Sequence, residues 1–176
     1  MSVRVTDRRR GNAGARKLSG TGTPNRRGSE ATITYDRDTP TGEVSGVSCR
    51  FILLTNNPRY KDRPDLPVEY HDGVSGREII TGGRDLIHVG WQLLNHPLYG
   101  NFRPRQQPYR TLLLRRDDRS HVFDDYGLKL IEEAERVYHA EEALTPARTP
   151  ERMRRDCSEI DFELMRETLS RYGFIH

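Results

Sequence analysis

Phe51-Ile52-Leu53-Leu54-Thr55-Asn56-Asn57-Pro58 is a short apolar run closed by a polar turn. A run of this length, without alternation and ended by Asn-Asn-Pro, predicts a buried strand followed by a turn. A strand that is apolar on both faces needs cover on both sides, which calls for a parallel or mixed sheet flanked by helices. Cys49 opens this strand.

Downstream, Val68-Glu69-Tyr70-His71 alternates and stops at Asp72-Gly73, which predicts a second strand. Arg77-Glu78-Ile79-Ile80 suggests a third, shorter extended piece. After Thr81-Gly82-Gly83 the period lengthens: Leu86, Ile87, Gly90, Trp91, Leu93 and Leu94 recur at helical spacing, which predicts a helix from Arg84 to Asn95 that ends at Pro97. Tyr109 to Leu114 is a further apolar strand, and Arg119 to Phe123 would extend it or pair with it. Asp124 or Asp125 caps a second long helix with a stripe of Leu130, Ile131, Ala134, Val137 and Tyr138. Pro146 and Pro150 mark a linker, and Ser158 with Asp161 three positions on has the form of a capping box for a last helix that Gly173 closes. The order predicts a small three-layer-like α/β domain with at least three strands in a short, mostly parallel or mixed sheet, spanning residues 49–176. The last helix has two places to pack, this core or a second subunit.

Upstream, residues 1–48 carry nine of the 29 Lys/Arg and five of the 26 Asp/Glu, which leaves 20 basic and 21 acidic groups to the rest. The basic pI of about 9.0 therefore belongs to the first 48 residues. They are rich in Gly, Ser, Thr and Arg without an apolar run, so ordering them would cost more entropy than burial returns, and a disordered tail is expected. Arg8-Arg9-Arg10 offers phosphate contacts, while the plainer reading is a solvated extension or a misplaced start. A near-neutral remainder without a basic, aromatic-interleaved motif argues against nucleic acid. No apolar stretch fits a secretory signal or a membrane span, and two isolated cysteines, Cys49 and Cys157, suit a reducing cytoplasm.

The polar side chains with useful chemistry fall on a few turns. Asn56 and Asn57 follow the first buried strand, where open α/β sheets usually hold ligands, and their carboxamides both donate and accept. The plain alternative is a turn whose Asn caps its own backbone. Arg84 and Asp85, after Gly82-Gly83 at the expected helix start, offer an anion site, although Gly-Lys-Ser/Thr and G-x-G-x-x-G are both absent. His88, Gln92 and Asn95 share a flank of the expected helix, with His96 in the exit turn and His71 at a strand end. They lack zinc spacing, so no metal is expected, and no serine or cysteine nucleophile accompanies them. The loop from His96 to Tyr109 is longer than a simple connection, and Pro97, Pro104, Pro108, Arg103, Arg105 and two glutamines make it a stiff polar arch.

Together, Leu53-Leu54-Thr55-Asn56-Asn57-Pro58, Arg84-Asp85-x-Ile87-His88-x-Gly90, Leu93-Leu94-x-His96-Pro97-Leu98-x-Gly100 and Pro104-x-x-x-Pro108-Tyr109 resemble the GrdX family over residues 50 to about 140. Trp91 departs from the pattern, where a second polar residue, often His, is expected, and suits packing instead. The family consists of small proteins encoded beside glycine, sarcosine and betaine reductase genes, and it has no assigned catalytic residues or cofactor. The resemblance implies a cytoplasmic accessory protein that binds a small anionic or amino-acid-like ligand, or a partner enzyme of the reductase systems. The expected site is the edge formed by Asn56, Asn57, Arg84, Asp85, His88, His96, Arg103 and Tyr109. The competing reading is a small enzyme with His88 or His96 as acid/base and Arg84 or Arg103 on an anionic substrate.

Overall fold

The computed structural model describes residues 49–117 and 122–175. The expectations for residues 1–48, and for a strand starting at Arg119, lie outside the described residues or begin outside them. Val122 and Phe123, the described part of that second stretch, are not in a strand.

Four strands form one mixed sheet: β1 (Cys49–Thr55), β2 (Val68–Tyr70), β3 (Gln92–Leu93) and β4 (Thr111–Asp117). Their order is β2-β1-β4-β3, with β1 parallel to β2 and antiparallel to β4, and β3 antiparallel to β4. The helices are α1 (Gly76–His88), α2 (Asp125–Ala140) and α3 (Glu151–Arg171).

The pleat sorts the apolar run of β1 onto two sides. Ile52 and Leu54, with Leu112 and Leu114 of β4, pack against Ile79, Ile80 and Leu86 of α1 and Ile131 and Ala134 of α2. Leu53 and Leu113 point the other way, onto Phe162, Met165 and Leu169 of α3 with Tyr60 and Leu66. Helices cover both faces, which is what a strand without polar alternation requires, and the sheet is the middle of three layers. The last helix packs on this core.

Several boundaries differ from expectation. First, α1 begins at Gly76, not after Gly83, so the piece expected as extended at Arg77–Ile80 is its opening turn. Ser75 is the N-cap: its side chain accepts from the Glu78 N–H while Glu78 reaches back to the Ser75 N–H, a capping box that satisfies two donors at once. Ser75→Ala should therefore cost about 1 kcal/mol in urea unfolding followed by circular dichroism. Gly82 and Gly83 lie inside the helix and are buried; a Cβ on Gly83 would stand 2.5 Å from Leu112 Cδ1, so glycine serves close helix–sheet contact there. Secondly, α1 ends at His88, well short of Pro97. Gly90 takes a positive φ of 93°, the chain reverses, and Gln92–Leu93 becomes an edge strand with Leu93 paired to Leu114. Thirdly, α3 starts at Glu151 behind Pro150, so Ser158 and Asp161 sit within the helix and cap nothing. Strand β4 starts at Thr111, with Tyr109 and Arg110 leading into it.

The second helix follows expectation: Asp124 caps it by accepting from the Gly127 N–H, and Ile131, Ala134 and Tyr138 are buried. Gly173, at φ 79°, closes α3.

Candidate functional site

The carboxyl ends of β1 and β2 and the start of β4 meet at one end of the sheet, and the polar residues gathered there are buried. Thr55, Asn56, Asn57, Arg110, Thr111 and Asp161 are each at most 1 % exposed. Asp161 reaches in from α3 and accepts from Asn57 Nδ2 and Thr111 Oγ1, both at 2.8 Å, and from the Tyr99 hydroxyl. Thr55 and Thr111 stand opposite each other in register, with their hydroxyls 2.7 Å apart. Because the single proton of Thr111 goes to Asp161, Thr55 donates to Thr111 while accepting from the Asn57 N–H at 3.0 Å. The protons all run toward the carboxylate.

Burial pushes the Asp161 carboxyl above its usual range, and the donors Asn57, Tyr99 and Thr111 and the charge of Arg110 pull it back part of the way. Burial, with the neighbouring Asp161 charge, raises the Tyr99 phenol well above its ordinary value, so it stays a neutral donor. Arg110 is held by its backbone N–H on Asn56 Oδ1 at 2.7 Å and by Nε on the Tyr138 hydroxyl at 3.3 Å. Burial opposes its charge, but Tyr138, Tyr99 and Asp161 outweigh this and raise its pKa.

Asn56 ties the end of the sheet together. Besides accepting from Arg110, its Nδ2 donates to the Val74 carbonyl at 2.8 Å and the Pro108 carbonyl at 2.9 Å. Asn57 does the same toward α3: Nδ2 donates to the Ser158 carbonyl at 2.9 Å and Oδ1 accepts from Ser158 Oγ at 2.6 Å.

Outside this network lies a cleft of about 530 Å³, whose lining includes Asn56, Tyr70, Asp72, Tyr109, Arg154 and Arg155. It opens beyond the carboxyl ends of the parallel pair, the usual ligand position in open α/β sheets. Arg154 and Arg155 come from the first turns of α3, whose amino end adds partial positive charge. Arg154 is paired with Glu151 at 2.8 Å. Tyr70 donates to Asp72 at 2.8 Å, and burial together with that bond raises its phenol pKa. A second depression, along the far end of α3, carries charges that already neutralise each other, Arg166 on Glu163 and Arg171 on Glu167. It offers a ligand little.

The family model described as GrdX-like protein matches residues 52–170, well over half of the 176 residues. The chain belongs to the GrdX-like protein family. Searches of curated proteins and of solved structures gave no match. The matched span of this GrdX-like chain takes in every residue of the network and the cleft named above.

Within the GrdX-like fold the residues expected to form one edge are distributed over several places. Asn56, Asn57 and Tyr109 are buried at the polar end of the sheet, where Asn56 and Tyr109 also line the cleft. Arg84 lies on the joint between α1 and α2, with Nη1 on both Glu135 oxygens at 3.0 and 3.1 Å and Nη2 on Asp85 at 3.1 Å. His88 is exposed at the end of α1, its ring 6.1 Å from that of Phe123. His96 is exposed, and its Nδ1 accepts from the Leu98 N–H at 3.1 Å. Arg103 pairs with Glu141 at 2.5 Å. His71 bonds Glu69 at 2.9 Å. Gln92 accepts from Arg115 on the edge strand, and Asn95 brackets β4 through the Leu113 N–H and the Thr111 carbonyl.

Sequence reasoning passed over Tyr99, Thr111, Asp161, Arg154 and Arg155. For Asp161 a signal existed: Asp161, Met165 and Leu169 recur every four residues, so an acid sits in the apolar stripe of α3. Among the described residues no group of three or more His, Cys, Asp or Glu could hold a metal ion, and no helix is long and apolar enough to cross a membrane.

Proposed function

We propose that this GrdX-like protein binds a small anionic or amino-acid-like ligand in the cleft beyond β1 and β2, in an accessory role beside amino-acid reductases. The observation that carries the reading is the chemistry of the lining: the guanidinium groups of Arg155 and of Arg154, the latter shared with Glu151 of the same lining, on the first turns of α3, and the Asp72 carboxylate with the Tyr70 phenol at the end of β2. Arginine suits the carboxylate or phosphate end of a ligand. Asp72 suits an ammonium end, and Asn56 and Tyr109 supply a neutral wall. The lining includes no histidine, so the geometry favours binding over histidine acid/base chemistry.

The test is a thermal-shift and calorimetric panel on the full chain with glycine, sarcosine, betaine, acetyl phosphate, phosphate and nucleotides. One compound should stabilise by about 2.7 kcal/mol at a concentration near 100 times its Kd. Arg154→Ala combined with Arg155→Ala should weaken that compound at least about tenfold. The unliganded stability should move by no more than about 0.5 kcal/mol, since both side chains are on the surface of α3. Asp72→Asn should weaken an amino acid and leave a plain anion unaffected. A flat panel would sink the small-ligand reading and leave a protein partner of the reductase systems.

A further inference from the structure

The floor of the cleft carries a donor that the protein itself leaves unused. Tyr109 is 4 % exposed, and its backbone N–H is tied to Gln107 Oε1 at 3.3 Å. Its hydroxyl makes no hydrogen bond among the described residues, yet it is not sealed off without a partner as the Tyr60 hydroxyl is. A phenol oxygen that is neither bonded nor sealed opens onto the surface its residue lines, and for Tyr109 that surface is the cleft. Burial pushes this phenol above its ordinary value and the charge of Arg154 pulls it back part of the way, so at neutral pH the hydroxyl keeps its proton.

The charged groups of the same lining balance. Arg154 and Arg155 stand against Asp72 and Glu151, which leaves the cleft formally neutral. Arg154 is shared with Glu151 at 2.8 Å, whereas Arg155 has no ion-pair partner among the described residues. The Tyr70 hydroxyl donates to Oδ1 of Asp72 at 2.8 Å, and Oδ2 has no such partner. The spare capacity is therefore one guanidinium, one phenol proton and one carboxylate oxygen. A ligand with one negative and one positive end meets all three. A multiply charged anion such as phosphate brings a further negative charge, which a neutral phenol does not offset and which two carboxylates repel.

We propose that Tyr109 sets the ligand class of the cleft: its hydroxyl donates to the carboxylate of a zwitterionic amino acid, which Arg155 also meets, while the amino end faces Asp72. The inference rests on the cleft being the ligand site, and it narrows that reading from anions in general to amino acids, with phosphate compounds excluded. Because the Tyr109 oxygen bonds nothing in the protein, its contribution belongs to the bound state alone.

Calorimetric titration of the full chain at constant ionic strength tests it, with glycine, sarcosine and betaine as zwitterions, acetate as a carboxylate without an amino end, and inorganic phosphate as the multiply charged anion. At least one zwitterion should bind saturably, with acetate about tenfold weaker and phosphate weaker still. Tyr109→Phe removes only the unbonded oxygen; it should weaken the bound zwitterion roughly tenfold and leave the melting temperature of the unliganded chain where it was. A flat response to every compound overturns the cleft reading and this one together. Zwitterion binding that Tyr109→Phe leaves unchanged overturns the role of Tyr109 and keeps the cleft. An unliganded Tyr109→Phe chain that melts below the parent also overturns it, since the hydroxyl would then be bonded within the protein. Phosphate bound at least as tightly as any zwitterion overturns the selectivity, and its loss in the Arg154→Ala/Arg155→Ala chain would keep the cleft as a general anion site.

Discussion

Asp161→Ala is expected to lower the unfolding free energy by about 3–5 kcal/mol, a large share of what a domain of this size has. The cost does not come from a lost ion pair. It comes from three donors, Asn57 Nδ2, Thr111 Oγ1 and the Tyr99 hydroxyl, that converge on this carboxylate and have no water to turn to. Urea unfolding at fixed pH measures it. A loss under 1 kcal/mol would mean that the network is wet or unformed. The pH dependence adds a signed check. The carboxyl pKa is raised in the folded chain, so the stability this group contributes is full below its unfolded value and is lost as pH climbs through the folded value. Asp161→Asn has no such titration. The stability gap between the parent chain and Asp161→Asn should therefore narrow as pH rises from below the ordinary carboxylate range, and a gap that widens would contradict the raised pKa.

Asn56→Asp should be nearly as damaging, at about 2–4 kcal/mol, although it changes one atom. An aspartate keeps the acceptor for the Arg110 N–H but sets an oxygen against the Val74 and Pro108 carbonyls, where Nδ2 donates. Because this residue also lines the cleft, the substitution should lower affinity for any cleft ligand together with stability. Asn57→Asp offers a comparison within the same turn, since it sets a second carboxylate against Asp161. Melting temperatures of the two variants beside the parent make the measurement; an Asn56→Asp chain that melts with the parent would show that this side chain does not hold the sheet end together.

What was legible in the sequence follows the strength of local signals. Phe51 to Pro58 announced a covered strand because its apolar residues have no polar alternation, and Asp124 announced α2 because an acid directly preceded a helical stripe. The start of α1 was also written, as Ser75-Gly76-Arg77-Glu78, but Gly82-Gly83 drew the boundary to itself. Gly83 marks close packing on the sheet, a tertiary reason that no local pattern reveals. Strand β3 consists of Gln92 and Leu93, which become a strand only by pairing with Arg115 and Leu114. For the site, the turn after β1 carried the most information, since position relative to a sheet can be inferred from one strand. Arg84, His96 and Arg103 looked available because sequence does not show that Glu135, the Leu98 N–H and Glu141 stand beside them. Arg154 and Arg155 drew no attention as site residues, because only the packing of α3 against the ends of β1 and β2 brings them to the cleft.

Helix α3 brings Asp161 to the buried seam and Arg154, Arg155 and Ser158 to the rim of the cleft. One rigid element therefore serves as both bolt and door frame: the recess acquires its basic rim only when the seam closes. Any occupant of that recess acts as a clamp on the third layer, and amide protons along α3 should exchange with deuterium more slowly in its presence than those of α2.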